Sequence, residues 1–376
     1  MKPQFKTILT LVLLISSAAN GQPEEKEKPP EIKGYGFEIE KSIESTPVKS
    51  QDRTGTCWCF AGASFLESEL IRNGKGTHNI SEMFIVKNVY KDKAMNYVLR
   101  SGKANFGQGA LAHDFINAVD RHGFVPEAVF MGRESEKAKH DHTEMESLLK
   151  GMLDALIKQK SLSKKWRLAY DRVLDVYIGE NPQKFEYLNT QHTPGSLAKA
   201  VDFVGQDYIS LTSYTHHPFH SKFVLEIPDN NSNGSFYNLP ISDLVDVIDH
   251  AIENGYSVAW DGDVSEAGFS SSKGIAVLPA DPKRKDALTE PGPEKAVSQE
   301  MRQETFYSYA TTDDHLMHLT GISRDKNGNK YYVIKNSWGT IGPYKGFIHM
   351  SEAYVRLKTV AILIHKDGIP KDLIRQ

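Results

Sequence analysis

Cysteine is almost missing from this chain: 376 residues carry two, Cys57 and Cys59. Residues one position apart rarely reach disulfide geometry, so no cross-linked framework is available. A cysteine-based zinc site is excluded too, because there is no second pair and Trp58 stands between the two. No metal and no cofactor are expected. Charge of one sign is also missing. The 45 Lys and Arg are interspersed with 48 Asp and Glu, a net charge of −3. Without a basic stripe, nucleic acid is not an expected partner. Internal repeats are absent, and stability must come from a packed core, which a chain of this length can bury.

The N-terminus is organised for export. Lys2 and Lys6 precede the apolar run Ile8–Ile15, and Ser17, Ala18, Ala19 and Gly21 offer small-residue cleavage positions. Residues 1–21 are therefore expected to be a signal peptide, with the mature protein periplasmic or secreted. The run is too short for a mature bilayer span, and no cysteine follows it to carry a lipid, so no stable membrane anchor is expected. Residues 22–34 are charged and proline-rich and read as a disordered linker.

Beyond the linker, helices come first and strands later. Helical spacing is expected over Cys57–Arg72, Ser81–Tyr90 with Ser81 as N-cap, Ala110–His122, and Pro194–Gly205 after a Thr193 cap. Residues 141–178 are charged and helical in pattern, within an insertion at about 135–200. From Asp207 onward the pattern turns to strands at Tyr208–Tyr214, Lys222–Ile227, Ser257–Asp261, His315–Ile322, Tyr331–Lys335, Gly346–Met350 and Val360–His365. A helix at Ile241–Glu253 interrupts them, and Asp325–Gly328 reads as a hairpin turn. This order fits an α+β protein with a cleft between a helical and a β-rich lobe.

The chemistry concentrates in three stretches. In Gln51-Asp52-Arg53-Thr54-Gly55-Thr56-Cys57-Trp58 a polar amide lies six residues before a cysteine that opens a helix. A helix N-terminus favours thiolate over thiol, and its N–H groups can hold an oxyanion together with a side-chain amide such as Gln51. Asp313-Asp314-His315 offers a base, and Lys335-Asn336-Ser337-Trp338-Gly339 an orienting amide shielded by an indole. A thiol nucleophile needs an imidazole, and the imidazole needs a group fixing its ring and tautomer. Cys59 points roughly 160° or more away from Cys57 around the helix and is expected in the core. His318, three residues along the strand from His315, faces the other side. Gly107, Gln108 and Gly109 are candidates for close approach of a substrate backbone, or simply a turn. His216, His217 and His220 suggest a metal cluster, but no carboxylate or cysteine is spaced to complete it, and a surface loop is the preferred reading.

These stretches resemble the papain-like cysteine peptidases, and in particular the bleomycin hydrolase and aminopeptidase C branch. Phe106–Gly109 with Phe115–Pro126, Ala251–Val264 and Ile364–Pro370 add to the resemblance, which spans roughly residues 35–372. It implies a two-lobed papain-like domain over 35–372 and catalysis by Cys57, His315, Asn336 and Gln51, with Gly107, Gln108 and Gly109 binding substrate. Peptides are the implied substrates, cleaved from a free N-terminus; a homo-oligomer is compatible with the resemblance. In that branch a C-terminal arm limits the cleft to exopeptidase action, and the segment after Pro370 is shorter here. An endopeptidase with an open cleft, an acyl-transfer enzyme and a non-catalytic peptide-binding protein stay as alternatives.

Overall fold

The structure, a computed structural model, describes residues 34–374. The expected signal peptide and nearly all of the expected linker lie outside the described residues. The first half contains β1 (Glu38–Ser42), α1 (Cys57–Arg72), α2 (Glu82–Leu99), α3 (Ala112–His122), α4 (Thr143–Leu156), α5 (Lys165–Ile178), the hairpin β2 (Phe185–Tyr187) and β3 (Thr190–His192), and α6 (Pro194–Ala200). The second half contains β4 (Tyr208–Thr212), β5 (Lys222–Val224), β6 (Ser235–Asn238), α7 (Ile241–Glu253), β7 (Val258–Gly262), β8 (Phe269–Ser270), β9 (Ile275–Ala276), α8 (Gln299–Tyr307), β10 (His315–Arg324), β11 (Lys330–Lys335), β12 (Phe347–Ser351), α9 (Glu352–Lys358) and β13 (Thr359–His365). Among the described residues no helix is long and apolar enough to cross a membrane.

Helix α1 begins at the expected cysteine and is buried around its whole circumference, as a central core helix must be. It packs against β10 and α3. A Cβ on Gly62 would lie 2.5 Å from Phe115 Cγ, so glycine at this position sets the approach of the two helices. Ser81 caps α2 by accepting from Phe84 N, and Thr193 caps α6 by accepting from Ser196 N. Two helices differ from expectation. α2 runs on to Leu99, and α6 stops at Ala200 where Pro194–Gly205 was read as helical.

The second half builds one large sheet, ordered β5-β6-β4-β13-β7-β10-β11-β12-β9-β8, with β1 added alongside β10. Alternation along the strands divides two cores. Ala259, Leu316, Ala361 and Leu363 face the helices of the first half. Trp260, Met317, Ile362 and Ile364 face α7 and α9. β10 thus lies against α1 on one face while pairing with β7 and β11 at its edges. That arrangement brings residues near 57 to residues near 315.

One satellite packing makes a pH prediction. His349 of β12 is buried, stacked on Phe37 with ring centroids 3.9 Å apart, and its Nδ1 pairs with Ser323 Oγ at 2.7 Å. Burial lowers its pKa from the ordinary 6.5 to about 4. The folded state therefore holds this ring neutral where the unfolded chain would protonate it. Its contribution to stability is present above pH 6.5 and is lost as pH falls toward 4. His349→Phe should flatten the acid limb of a denaturant-derived stability profile by roughly 1.4 kcal/mol per pH unit in that window. At pH 7 the variant should be about 1–3 kcal/mol weaker, because Ser323 Oγ loses its buried partner. An unchanged acid slope would show that His349 does not titrate with unfolding.

Candidate active site

The N-terminal turn of α1 has no side-chain cap; Thr56 precedes it, and its carbonyl accepts from Cys59 N and Phe60 N at 2.9 and 3.3 Å. The end of the helix is thus left for other acceptors. Cys57 keeps 8% of its surface exposed, and Cys59 keeps none. Cys59 Sγ points at Glu82 O, 3.2 Å away, as a core thiol. The Cys57 thiol lies beside the backbone N–H of Leu316, the residue following His315.

His315 opens β10, and its Nε2 meets Asn336 Oδ1 at 2.7 Å. The same Oδ1 accepts from Ser337 N at 2.7 Å. Because the Ser337 amide can only donate, the Asn336 atom facing both groups is the oxygen, and His315 must carry its proton on Nε2. Nδ1 is then the basic nitrogen. The Trp338 ring lies over the imidazole with centroids 4.6 Å apart. An indole there excludes water from the His–Asn hydrogen bond and strengthens it.

Gln51 joins this group through backbone pairing. Gln51 N donates to Ser337 O at 2.9 Å, and Gly339 N donates to Lys49 O at 3.0 Å. The Gln51 amide is oriented at both ends: Oε1 accepts from Ser337 Oγ at 2.8 Å, and Nε2 donates to Thr54 O at 2.6 Å. The glycine loop sits on the opposite side of the nucleophile turn. Gln108 Oε1 accepts from Gly55 N at 2.7 Å, and Trp58 Nε1 donates to Gln108 O at 2.8 Å. Lys93 Nζ holds the carbonyls of Gly107, at 2.8 Å, and Gly109. The structure therefore ties Gln51 to Ser337, next to the His315–Asn336 pair, places Leu316 N–H against Cys57, and sets the 107–109 loop on the turn that precedes Cys57. His318 is elsewhere, buried with Nδ1 on Ser64 Oγ at 2.8 Å.

Burial opposes charge on both reacting groups. It pushes the Cys57 thiol up to about 12, against the opposing pull of the Leu316 and Trp58 N–H groups. It lowers His315 to about 4, against the opposing pull of Asn336. The helix N-terminus alone suggested a resting thiolate. Burial works against that pull, and the donors around Cys57 serve the charge that develops during reaction.

Four features were not anticipated. Lys335 is buried directly before Asn336. Its Nζ donates to Ser64 Oγ at 2.7 Å and Thr46 Oγ1 at 3.0 Å, tying β11 to α1. Asp261, buried on β7, and Asp313, half-buried, lie beside the site and act on one another and on Cys57. Asp229 presses on the Gly109 backbone. Finally, the histidine loop does gain a carboxylate. Glu226 reaches His216 Nε2 at 3.0 Å and His217 Nε2 at 2.7 Å, a contact hidden by the strand between them. The tautomer of His216 argues against a metal there. Gln303 Oε1 accepts from Thr215 N at 2.5 Å, so its amide Nε2 is the atom facing His216 Nδ1 at 3.2 Å. His216 Nδ1 accepts, and its proton on Nε2 points at Glu226.

Fold and site together define a thiol-dependent peptidase of the papain-like class. The sequence model of the Peptidase C1-like family matches residues 78–376, and the chain belongs to that family. Aminopeptidase G of Lactobacillus delbrueckii subsp. lactis is 23% identical to it over 369 residues, covering 86% of this chain and 82% of its own. Aminopeptidase C of Lactobacillus helveticus is 23% identical over 394 residues, covering 90% and 83%. In structure the chain is similar to PepW of Lactobacillus rhamnosis HN001, with a TM-score of 0.72 at 20% identity over 89% of this chain and 83% of that one.

Proposed function

We propose that the protein is an exported cysteine aminopeptidase, with Cys57 as nucleophile, His315 as base, Asn336 as the group orienting that base and Gln51 as an oxyanion donor. The observation that carries this reading is the His315–Asn336 bond at 2.7 Å, whose geometry leaves Nδ1 unprotonated beside the nucleophile helix. Support for the aminopeptidase assignment comes from the names of the relatives. Export rests on the Lys2–Gly21 pattern.

The reaction follows from these roles. Cys57 Sγ attacks the substrate carbonyl carbon as its proton passes to His315 Nδ1. The carbonyl oxygen becomes an oxyanion held by the Cys57 N–H and the second N–H of the Gln51 amide. The C–N bond then breaks, and the His315 proton goes to the leaving amine. Water adds to the thioester, giving a proton back to His315, and the C–S bond breaks to return the thiol. Gln51→Ala should lower kcat by about 10²–10³, the loss found for one oxyanion donor, with KM changed far less. Parallel measurement of kcat and KM tests this; a loss confined to KM would place Gln51 in substrate binding alone.

The deciding experiment compares fluorogenic aminoacyl and peptidyl amides, free or N-acetylated, with wild type and Cys57→Ala. Hydrolysis of free substrates by wild type only is expected. Cysteine-dependent cleavage of the blocked set at equal rate would make the enzyme an endopeptidase.

A further inference from the structure

Next to the nucleophile the structure holds a group of carboxylates, Asp229, Asp261 and Asp313; Lys93 acts on Asp229 but hydrogen bonds to the Gly107 and Gly109 carbonyls. Asp261 belongs to β7, where it pairs in register with Leu316 of β10, and it retains 3% exposure. Neither of its oxygens has a hydrogen-bond partner, and Asp313 Oδ2 is also unpartnered. Among the described residues, the groups acting on Asp313 are Asp229, Asp261 and Asp314, with no lysine or arginine among them. Asp314 is satisfied separately by Ser265 Oγ at 2.5 Å and Thr312 Oγ1 at 2.6 Å. Asp229 accepts from Asn105 Nδ2 at 3.0 Å and leans on Gly109, the loop assigned above to substrate.

Two further observations point to a ligand. A cavity of about 330 Å³ opens at this group, and its lining includes Asp229 and Asp313 together with Phe306, Tyr307 and Tyr309. Buried polar atoms without partners surround it. Thr311, 2% exposed, lines the cavity, and its Oγ1 has no hydrogen-bond partner. Tyr214 Oη, fully buried, lies in the field of Asp261 and Asp313, and its ring stacks on Phe306 at 4.1 Å. Unpaired buried carboxylates and hydroxyls are costly unless a partner arrives. The three carboxylates do not converge tightly enough for one metal ion; only His216, His217 and Glu226 do so among the described residues. A tetrahedral ammonium offers three N–H donors in separate directions and suits a spread set of acceptors.

We infer that Asp229 and Asp313, backed by Asp261, form the subsite that receives a substrate ammonium group, with the aromatic lining of the cavity covering the carbon chain next to it. The inference rests on the peptidase reading and adds its specificity element. The ammonium is either the α-amine of the substrate N-terminus or the end of a lysine side chain. Burial and the neighbouring Asp229 raise Asp313 to about 7.

The test measures binding in Cys57→Ala, which cannot turn substrate over, by titration calorimetry with three peptides: a neutral peptide with a free N-terminus, its N-acetylated twin, and the acetylated twin carrying one lysine. Tighter binding of the free peptide than of its twin, by tenfold or more, is expected, with the difference abolished by adding Asp313→Asn. If the lysine peptide alone shows that behaviour, the ammonium is a side chain and the subsite stands. Asp229→Asn, at a half-buried position, gives a second variant should Asp313→Asn fail to fold. Equal binding of all three peptides to Cys57→Ala, or equal weakening of all three by Asp313→Asn, overturns the inference. Hydrolysis by the Cys57 protein is scored separately, so loss of the peptidase reading and loss of this subsite give different results.

Discussion

His315→Ala should lower kcat/KM by on the order of 10⁴-fold or more, leaving only the rate that binding and the oxyanion donors provide. The imidazole is both the acceptor of the thiol proton and its donor to the leaving amine, so both steps fail together. Asn336→Ala should be less severe, about 10²–10⁴-fold, because the base survives but its proton is no longer held on Nε2. A ring with its proton on Nδ1 has no lone pair for Cys57. The pair of variants is informative through its order. Steady-state kinetics with alkylation of Cys57 by iodoacetamide would follow turnover and thiol reactivity separately. Full activity in His315→Ala with loss in His318→Ala would reassign the base, although His318 lies against Ser64 and not in the cleft.

The second large effect is on stability. Lys335→Met removes the charged donor that joins Ser64 and Thr46, and burial has already lowered this lysine to about 8. Glu67, itself buried and hydrogen bonded to Thr46 and to Ile80 N at 2.7 Å, would lose a compensating positive charge. Breaking such a buried set from one side costs about 3–5 kcal/mol. Lys335→Met with Glu67→Gln should recover part of that loss, since the uncompensated carboxylate goes with it. Chemical denaturation of the two variants checks this. Equal stability of single and double variants would show that Glu67 is compensated by Lys49 alone.

What could be read from sequence was whatever is encoded locally. The nucleophile helix is announced by Cys57 at its start and by apolar spacing along it. His315 and Asn336 sit in short stretches whose neighbours, Gly321 and Trp338, mark them out. The hairpin between β10 and β11 is written in Asp325–Gly328, where Asp325 Oδ1 accepts from Asn327 N and Asn329 N at 2.9 Å each. The α+β order of elements followed from periodicity. Short elements were missed for a physical reason. β8 and β9 have two residues each, too few to show alternation, and α8 is largely polar and is marked chiefly by its Ser298 cap. Groups assembled by long-range pairing left no local trace. Asp229, Asp261 and Asp313 come from three separate segments, as do Thr46, Ser64 and Lys335. Glu226 meets His216 and His217 only because the intervening chain turns back through β5.

The position of β13 in the sheet order has a consequence for how the enzyme comes into being. This strand, Thr359–His365, the last among the described residues, is inserted between β4 and β7, so the centre of the sheet stays incomplete until it has been made. Such non-local pairing closes slowly, since the loops must be fixed before the contacts form. Cys57 is made well before His315 and Asn336, so during synthesis the thiol has neither its base nor the orienting amide until β10 and the segment after β11 have emerged.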